Sequence, residues 1–460
     1  MKIVYVGGGS FRVVAVVREL LRLREVAAGC EVALWDPDRP RVEAMANLLG
    51  QAPEMDGLGA TVTCPTDLDA ALAGADFVEV TACPWRWDTF GASCRVCEDH
   101  GWIGSDNLSP NGAYLALRGG PMVLDVARRL ERLAPAAVML LFSNPIAILT
   151  SVVLAGTAIR AVGICGGEAN HGYDLSRMMG WRPYRFDFEV EVAGVNHLSW
   201  IKTLRLDGRD FYPVLAERLR APLDYGWLET DPDAGWLRGQ IEGMFERMTA
   251  VYRLTGAMLF SSEGDGLPHV FCYPETVERA RAARPRADPA DEAVRARAGR
   301  RDAVAAFCRL ASGRLAPTFW TDPAGPRWRG PEIPRPAPSV RIIRGLRTGR
   351  PETVTASYRN QGAIRGFADE AVVEYTMRVS RGGLAPTAGY PHALPPGAVG
   401  VTQGLAAHQA LVARAILSED RRTFEQALWE YPMCRDRRAV ASFMKAMAEA
   451  NRGELPAWMA

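Results

Sequence analysis

The sequence predicts an α/β protein: a doubly wound parallel sheet followed by a C-terminal α+β domain. Three observations carry that prediction. Over residues 1–160, short β-branched runs alternate with runs of helical apolar spacing, the signature of parallel strands joined by crossover helices. Gly7-Gly8-Gly9-Ser10 stands where the first strand should turn into the first helix. Past residue 180 the alternation gives way to antiparallel-looking strands and long helices. The boundary is set between 185 and 186, giving a dinucleotide-binding domain over 1–185 and an α+β domain over 186–460.

Each element follows from its residues. Lys2–Val6 is a β-branched run, and Phe11–Leu23 places Val13, Val14, Val17, Leu20 and Leu21 at helical intervals. Val32–Trp35 reads as the next strand, ending at Asp36, and Arg41–Leu49 as the helix after it. Thr61–Thr63 and Phe77–Thr81 read as strands around a helical Leu68–Ala73. Tyr114–Leu133 is a long amphipathic helix, and Ala137–Phe142 a buried strand ending at Ser143-Asn144-Pro145. Farther on, Phe186–Val195 and Trp200–Leu206 read as strands, while Ala221–Leu254 and Gly404–Asn451 read as helical. Glu278–Arg301 is an exposed helix or a surface excursion, and Pro317–Pro338 a long loop.

Composition narrows the function classes. Hydrophobic residues are 48% of 460 and charged residues 23%, which excludes a largely disordered chain. Lys+Arg of 54 against Asp+Glu of 53 leaves no global field to draw nucleic acid or an anionic membrane. No apolar run is long enough to span a bilayer, and Met1-Lys2 leads straight into a strand, so a cytoplasmic protein is expected. The odd count of 9 cysteines in such a chain argues against a disulfide framework, and the lone Cys94-x-x-Cys97 is read as packing.

Two constellations carry chemistry. In the first, glycines let a backbone approach a pyrophosphate at a helix N-terminus, and Asp36 ends the second strand, where an acid accepts from the adenosine ribose hydroxyls and favours NAD over NADP. Gly7, Gly9, Ser10 and Asp36 are therefore the cofactor-binding candidates, with Arg12 in the third-glycine position as a cation that can meet a substrate phosphate. In the second, Cys165 and His197 each close an apolar run, so a thiolate and an imidazole at two strand ends can bind a divalent metal with positions left for substrate. Glu168, Asn170 and His171 add polar groups near the cysteine.

Together these segments resemble glycoside hydrolase family 4. Its carriers are Gly7–Ser10, His100–Asn107 running into Asn111–Arg118, Ser143-Asn144-Pro145, Gly163-Ile164-Cys165, Gly194–Trp200, Asn360–Ile364 and Val373-Glu374. The resemblance implies a Rossmann domain and a mixed second domain, like lactate and malate dehydrogenases, in a homodimer or homotetramer. It implies NAD and a divalent metal, manganese first, acting on a small-molecule sugar or glycoside. In the implied reaction NAD takes a hydride from sugar carbon 3, a base removes the proton from carbon 2, the glycosidic oxygen leaves, water adds and the hydride returns. This departs from two-carboxylate glycoside hydrolysis.

The site residues implied are Cys165 and His197 for the metal and Asp106, Asn107, Asn144, Asn196 and Arg86 for the sugar, Asn144 also touching the cofactor. For the base, Asp265 comes first and Tyr273 second, from the stretch Glu263–His269 and Tyr273-Pro274. A tyrosine would need a depressed pKa, which an adjacent metal can supply. Two departures bear on activity. Gly166 follows Cys165 where many members carry a polar residue, leaving Glu168 or His171 to protonate the leaving group. Thr81–Trp87 replaces the Arg-Val-Gly-Gly segment. Both keep open an alternative, a sugar dehydrogenase or epimerase on the same scaffold.

Overall fold

The computed structural model describes residues 1–84, 87–223, 226, 238–260, 265–283, 289–320 and 335–459. Its centre is one twelve-stranded sheet. The parallel half contains β1 (Lys2–Val6), β2 (Glu31–Trp35), β3 (Thr61–Thr63), β4 (Phe77–Val80), β5 (Val138–Leu141) and β6 (Arg160–Gly163). They lie in the order β3-β2-β1-β4-β5-β6, as the alternating pattern predicts. All four residues of β5 are buried, which is why it reads as an unbroken apolar run.

The rest is antiparallel: β7 (Glu189–Val195), β8 (Leu198–Leu206), β9 (Arg209–Asp210), β10 (Glu352–Arg359), β11 (Val372–Ser380) and β12 (Gly383–Pro386). These strands continue the same sheet, because β10 pairs with β6 through Ser357 and Gly163 and the order runs on as β10-β11-β7-β8-β9. Sequence reading missed β10 and β11. Thr353, Thr355, Glu374 and Thr376 interrupt their hydrophobic runs with polar groups that line the pockets at and beside the site.

Helix boundaries moved where capping was overlooked. The long helix starts at Pro110, since the Ser109 side chain accepts from the Asn111 amide and proline is preorganised for the first turn. Helices Trp87–Asp99, Ile146–Gly156 and Pro338–Thr348 were not anticipated either. Of Glu278–Arg301, expected as an exposed helix or a surface excursion, the described part lies largely in helices Tyr273–Ala282 and Pro289–Ala311. Much of the expected helix Ala221–Leu254 and of the Pro-rich loop lies outside the described residues; Arg238–Thr255 is helical. Among the described residues one large apolar core runs under both halves of the sheet, and Ile103, Tyr273 and Val277 form a small separate cluster. Cys94 and Cys97 are free thiols on Trp87–Asp99, and burial pushes Cys94 up to about 12, so they pack rather than react. Among the described residues no helix is long and apolar enough to cross a membrane.

Candidate active site

The glycine loop caps β1. Gly7 has φ +88°, and a Cβ there would stand 2.5 Å from the Ala82 nitrogen, so only glycine fits. The Gly7 and Gly8 amides both donate to the Trp35 carbonyl at 2.9 Å, binding the loop to the end of β2. The Gly9 amide donates to Asp36 Oδ2 at 3.2 Å. Ser10 precedes helix Phe11–Arg22 in extended conformation without a side-chain cap, and no acid stands in the first turn, so the positive end of that helix is open to an anion. Arg12 is committed elsewhere. It pairs with buried Glu79 and its guanidinium lies 3.4 Å from the Phe142 ring centre.

Cys165 follows β6, and its Sγ accepts from the Gly167 amide at 3.3 Å. Asn196 and His197 form the turn joining β7 to β8. His197 has φ +70°, an unfavourable backbone for an L-residue costing about 1–3 kcal/mol. That backbone turns its ring toward Cys165: Nε2 stands 3.7 Å from Sγ. Nδ1 lies 2.7 Å from Asp265 Oδ1. A carboxylate only accepts, so Nδ1 carries the proton and Nε2 presents its lone pair, with the Asn107 side-chain amide 3.2 Å away.

The same pair sets the electrostatics of the site. Burial alone would push Asp265 up, but His197 outweighs it and holds the carboxyl down at about 2. Burial would likewise lower His197, and the Asp265 charge raises it instead. The second Asp265 oxygen accepts from the Leu108 amide at 3.4 Å. Gly266 makes the contact possible, because a Cβ there would fall 1.7 Å from the His197 carbonyl oxygen.

The other candidates divide. Asn144 donates to Asp106 Oδ2 at 2.6 Å, and Asn107 donates to Asp106 Oδ1 at 3.2 Å while also reaching His197. Asp106, Asn107 and Asn144 therefore join the Cys165–His197 pair. Asn196 lines the pocket around Cys165 and His197 and donates to buried Glu374 at 2.9 Å, and Ser199 donates to its other oxygen. Glu168 is buried, paired with Arg341, and accepts from the Thr355 amide at 3.0 Å. His171 stacks on Phe260 with ring centres 5.0 Å apart, and burial lowers it to about 4, so it is neutral. Tyr273 is not gathered with the metal pair. Its hydroxyl accepts from the Ile103 amide at 3.0 Å and lies 3.0 Å from the Tyr431 hydroxyl, and burial raises its pKa. Arg86 lies outside the described residues.

The pocket around Cys165 and His197 is completed by Ser199, Phe260, Thr355 and Glu374, to which sequence reading assigned no role. Glu374 and Ser199 left a trace there, within the Val373-Glu374 pair and the Gly194–Trp200 segment. Among the described residues no group of three or more His, Cys, Asp or Glu is gathered to hold a metal on protein ligands alone.

The model of the family 4 glycosyl hydrolases matches residues 2–180, and that of the family 4 glycosyl hydrolase C-terminal domain matches 192–433. The chain belongs to glycoside hydrolase family 4. This family 4 chain is 26% identical over 223 residues to the α-galactosidase of Bacillus subtilis, 48% of this chain and 51% of that protein. It is 26% identical over 247 residues to an α-galacturonidase of Lachnoclostridium phytofermentans, 50% of this chain and 52% of that one. The matched stretch thus spans about half the length of these curated relatives. A 6-phospho-α-glucosidase from gut microorganisms, solved with NAD and Mn2+, superposes with a TM-score of 0.78 at 17% identity, covering 99% of each chain. That likeness shows the family 4 fold over the whole chain.

Proposed function

We propose that this chain is a family 4 glycosidase that uses NAD and a divalent metal, manganese first, to cleave a sugar glycoside by oxidation at carbon 3, elimination and water addition. The observation that carries the reading is the Cys165–His197–Asp265 line, set beside Asn107, Asn144 and Asp106 at the ends of β5 and β6.

The residues present fit both groups. Gly7 leaves no room for a side chain where the loop meets Ala82, and Asp36 stands beside the loop. Gly7, Gly9 and Ser10 would hold the pyrophosphate and Asp36 the ribose. Cys165 and His197 supply a soft and a borderline donor, a pair suited to manganese, iron, cobalt or nickel, and leave the remaining positions to the sugar oxygens. When bound, NAD accepts and returns a hydride and the metal polarises a carbonyl.

The chain's own groups do the rest. Asp265 keeps the proton on His197 Nδ1, so that Nε2 is free to ligate. Asp106, Asn107 and Asn144 orient sugar hydroxyls. Glu374 presents a buried carboxylate whose oxygens are set by Asn196 and Ser199. Glu168 accepts from Arg341 on one oxygen and from the Thr355 amide on the other, which makes it a wall of the pocket. Gly166 carries no acid, and a side chain there would have room, its Cβ 3.5 Å from Phe142. That gap favours a second reading, an epimerase or dehydrogenase that leaves the glycosidic bond intact.

Turnover of p-nitrophenyl glycosides in heavy water separates these. A redox glycosidase puts deuterium on carbon 2, releases nitrophenol and accumulates no NADH. Label without cleavage favours the epimerase, and stoichiometric NADH without cleavage the dehydrogenase. Hydrolysis with neither label nor NAD dependence rejects every redox reading. A separate check addresses the cofactor. A Cβ at Gly9 falls 3.0 Å from Asp36 Oδ2 and 3.2 Å from Arg41 Cγ. Gly9→Val should displace Asp36 and abolish NAD binding in calorimetry, with the melting temperature nearly unchanged. Undiminished NAD affinity would place the dinucleotide elsewhere.

A further inference from the structure

Helix Pro289–Ala311, from the C-terminal half of the chain, packs against two helices of the parallel half, Arg39–Gly50 and Trp87–Asp99. The first follows β2 and the second follows β4, the two strands that flank β1 in the sheet. The glycine loop ends β1, so Pro289–Ala311 reaches over the carboxyl ends of β2, β1 and β4. That is the crevice where an open parallel sheet takes a dinucleotide, at the point where the strand order reverses.

The attachment at the loop is narrow. Among residues 301–311 only Val304, Phe307, Cys308 and Ala311 are turned inward, one stripe at helical spacing, and the others are exposed. Phe307 is buried, and its ring stands edge-on to Phe11, the first residue of helix Phe11–Arg22, with ring centres 4.8 Å apart. The Arg41 guanidinium lies 5.1 Å from the centre of the same Phe11 ring, and a Cβ at Gly9 would stand 3.2 Å from Arg41 Cγ. Cys308 is half-buried; burial raises its thiol, and the charges that act on it are Asp38 and Arg41, at the start of helix Arg39–Gly50. The stripe therefore meets the glycine loop and the residues just past Asp36.

The other end is tied down separately. The Asn47 side-chain amide donates to the Ala311 carbonyl at 2.6 Å and to the Gly313 carbonyl at 3.1 Å, and the Leu315 amide donates to Gln51 Oε1 at 2.9 Å. Asn47 and Gln51 stand at the C-terminal end of helix Arg39–Gly50, away from the glycine loop. An element anchored at one end and resting on a few apolar contacts at the other opens locally without unfolding the rest.

We propose that helix Pro289–Ala311 is a strap across the dinucleotide site, with Phe307 as the residue that closes it onto Phe11. NAD enters and leaves when the strap lifts, so its release is slow. The proposed reaction suits this arrangement. Its hydride returns within each turnover, so the dinucleotide need not leave, whereas a dehydrogenase must exchange its cofactor every time. The inference rests on the reading of Gly7–Ser10 and Asp36 as the dinucleotide site.

Two measurements on the full chain test it. Bound NADH is chased with excess NAD, and the loss of its fluorescence gives the release rate, which Phe307→Ala should raise about tenfold. Alkylation of Cys308 by N-ethylmaleimide in the unaltered protein, read by peptide mass spectrometry, should slow at least about fivefold when NAD is present and holds the strap down. This second measurement decides the matter if Phe307→Ala does not fold. An unchanged release rate in a folded Phe307→Ala protein, or equal Cys308 labelling with and without NAD, overturns the strap while the dinucleotide reading stands. Failure of the unaltered protein to bind either NAD or NADH overturns the dinucleotide reading, and the strap falls with it.

Discussion

Cys165→Ala should lower kcat/KM at least about 10³-fold, some 4 kcal/mol, and remove tightly held manganese. The size follows from how little else can compensate. Cys165 and His197 are 3.7 Å apart, and no larger cluster of His, Cys, Asp or Glu is gathered among the described residues. Losing the thiolate would leave one protein donor, and the neutral Asn107 amide beside it cannot replace an anion. Metal analysis after gel filtration checks the first half of the claim, and assay with added manganese and reductant checks the second. Folding should be little affected, because Cys165 is half-buried at the end of β6, where its Sγ accepts from the Gly167 amide and faces His197. Retained metal and full turnover in the variant would move the site elsewhere.

Asp265→Asn should weaken manganese binding about 10–100-fold, the range seen when the group behind a metal-bound histidine is lost. An amide can present either a carbonyl or an N–H to Nδ1, so the histidine tautomer is no longer enforced. Calorimetric titration with manganese reads this without any assay of turnover. The pH dependence has a defined sign. Asp265 is held below its unfolded value, at about 2, so its contribution to stability is fully present above the ordinary carboxylate range, near 3.8, and is lost as pH falls through about 2. An inflection in activity between pH 5 and 9 should therefore persist in the Asn variant. If that inflection vanished with Asp265, the carboxylate would be the proton acceptor itself rather than the residue that positions His197.

The parallel half of the sheet was legible because it obeys a period. Buried parallel strands read as apolar runs, and the helices between them repeat their apolar residues at helical spacing. The glycine loop was legible for a related reason, since a strand-to-helix turn against neighbouring backbone excludes side chains, as at Gly7. Family resemblance added Cys165, His197, Asp265 and the Asp106–Asn107 and Asn144 segments, which come together in space from residues 106 to 265 of the chain.

Pattern failed where polar groups face a pocket. β10 and β11 carry Thr355, Ser357, Glu374 and Thr376 on one face, so they lack the apolar alternation of a strand packed on a core. For the same reason the pocket beside the site could not be anticipated, since its walls come from strands far apart in sequence. Residue type and spacing determined that this chain builds a dinucleotide loop and carries a thiolate and an imidazole at strand ends. Only the tertiary structure decided what each group does. A left-handed turn aims His197 at Cys165, Gly266 lets Asp265 reach Nδ1, Arg341 pairs with Glu168 and Ile103 and Tyr431 occupy the Tyr273 hydroxyl. Those outcomes depend on long-range approach and on which partner satisfies each buried polar atom, and local sequence does not encode either.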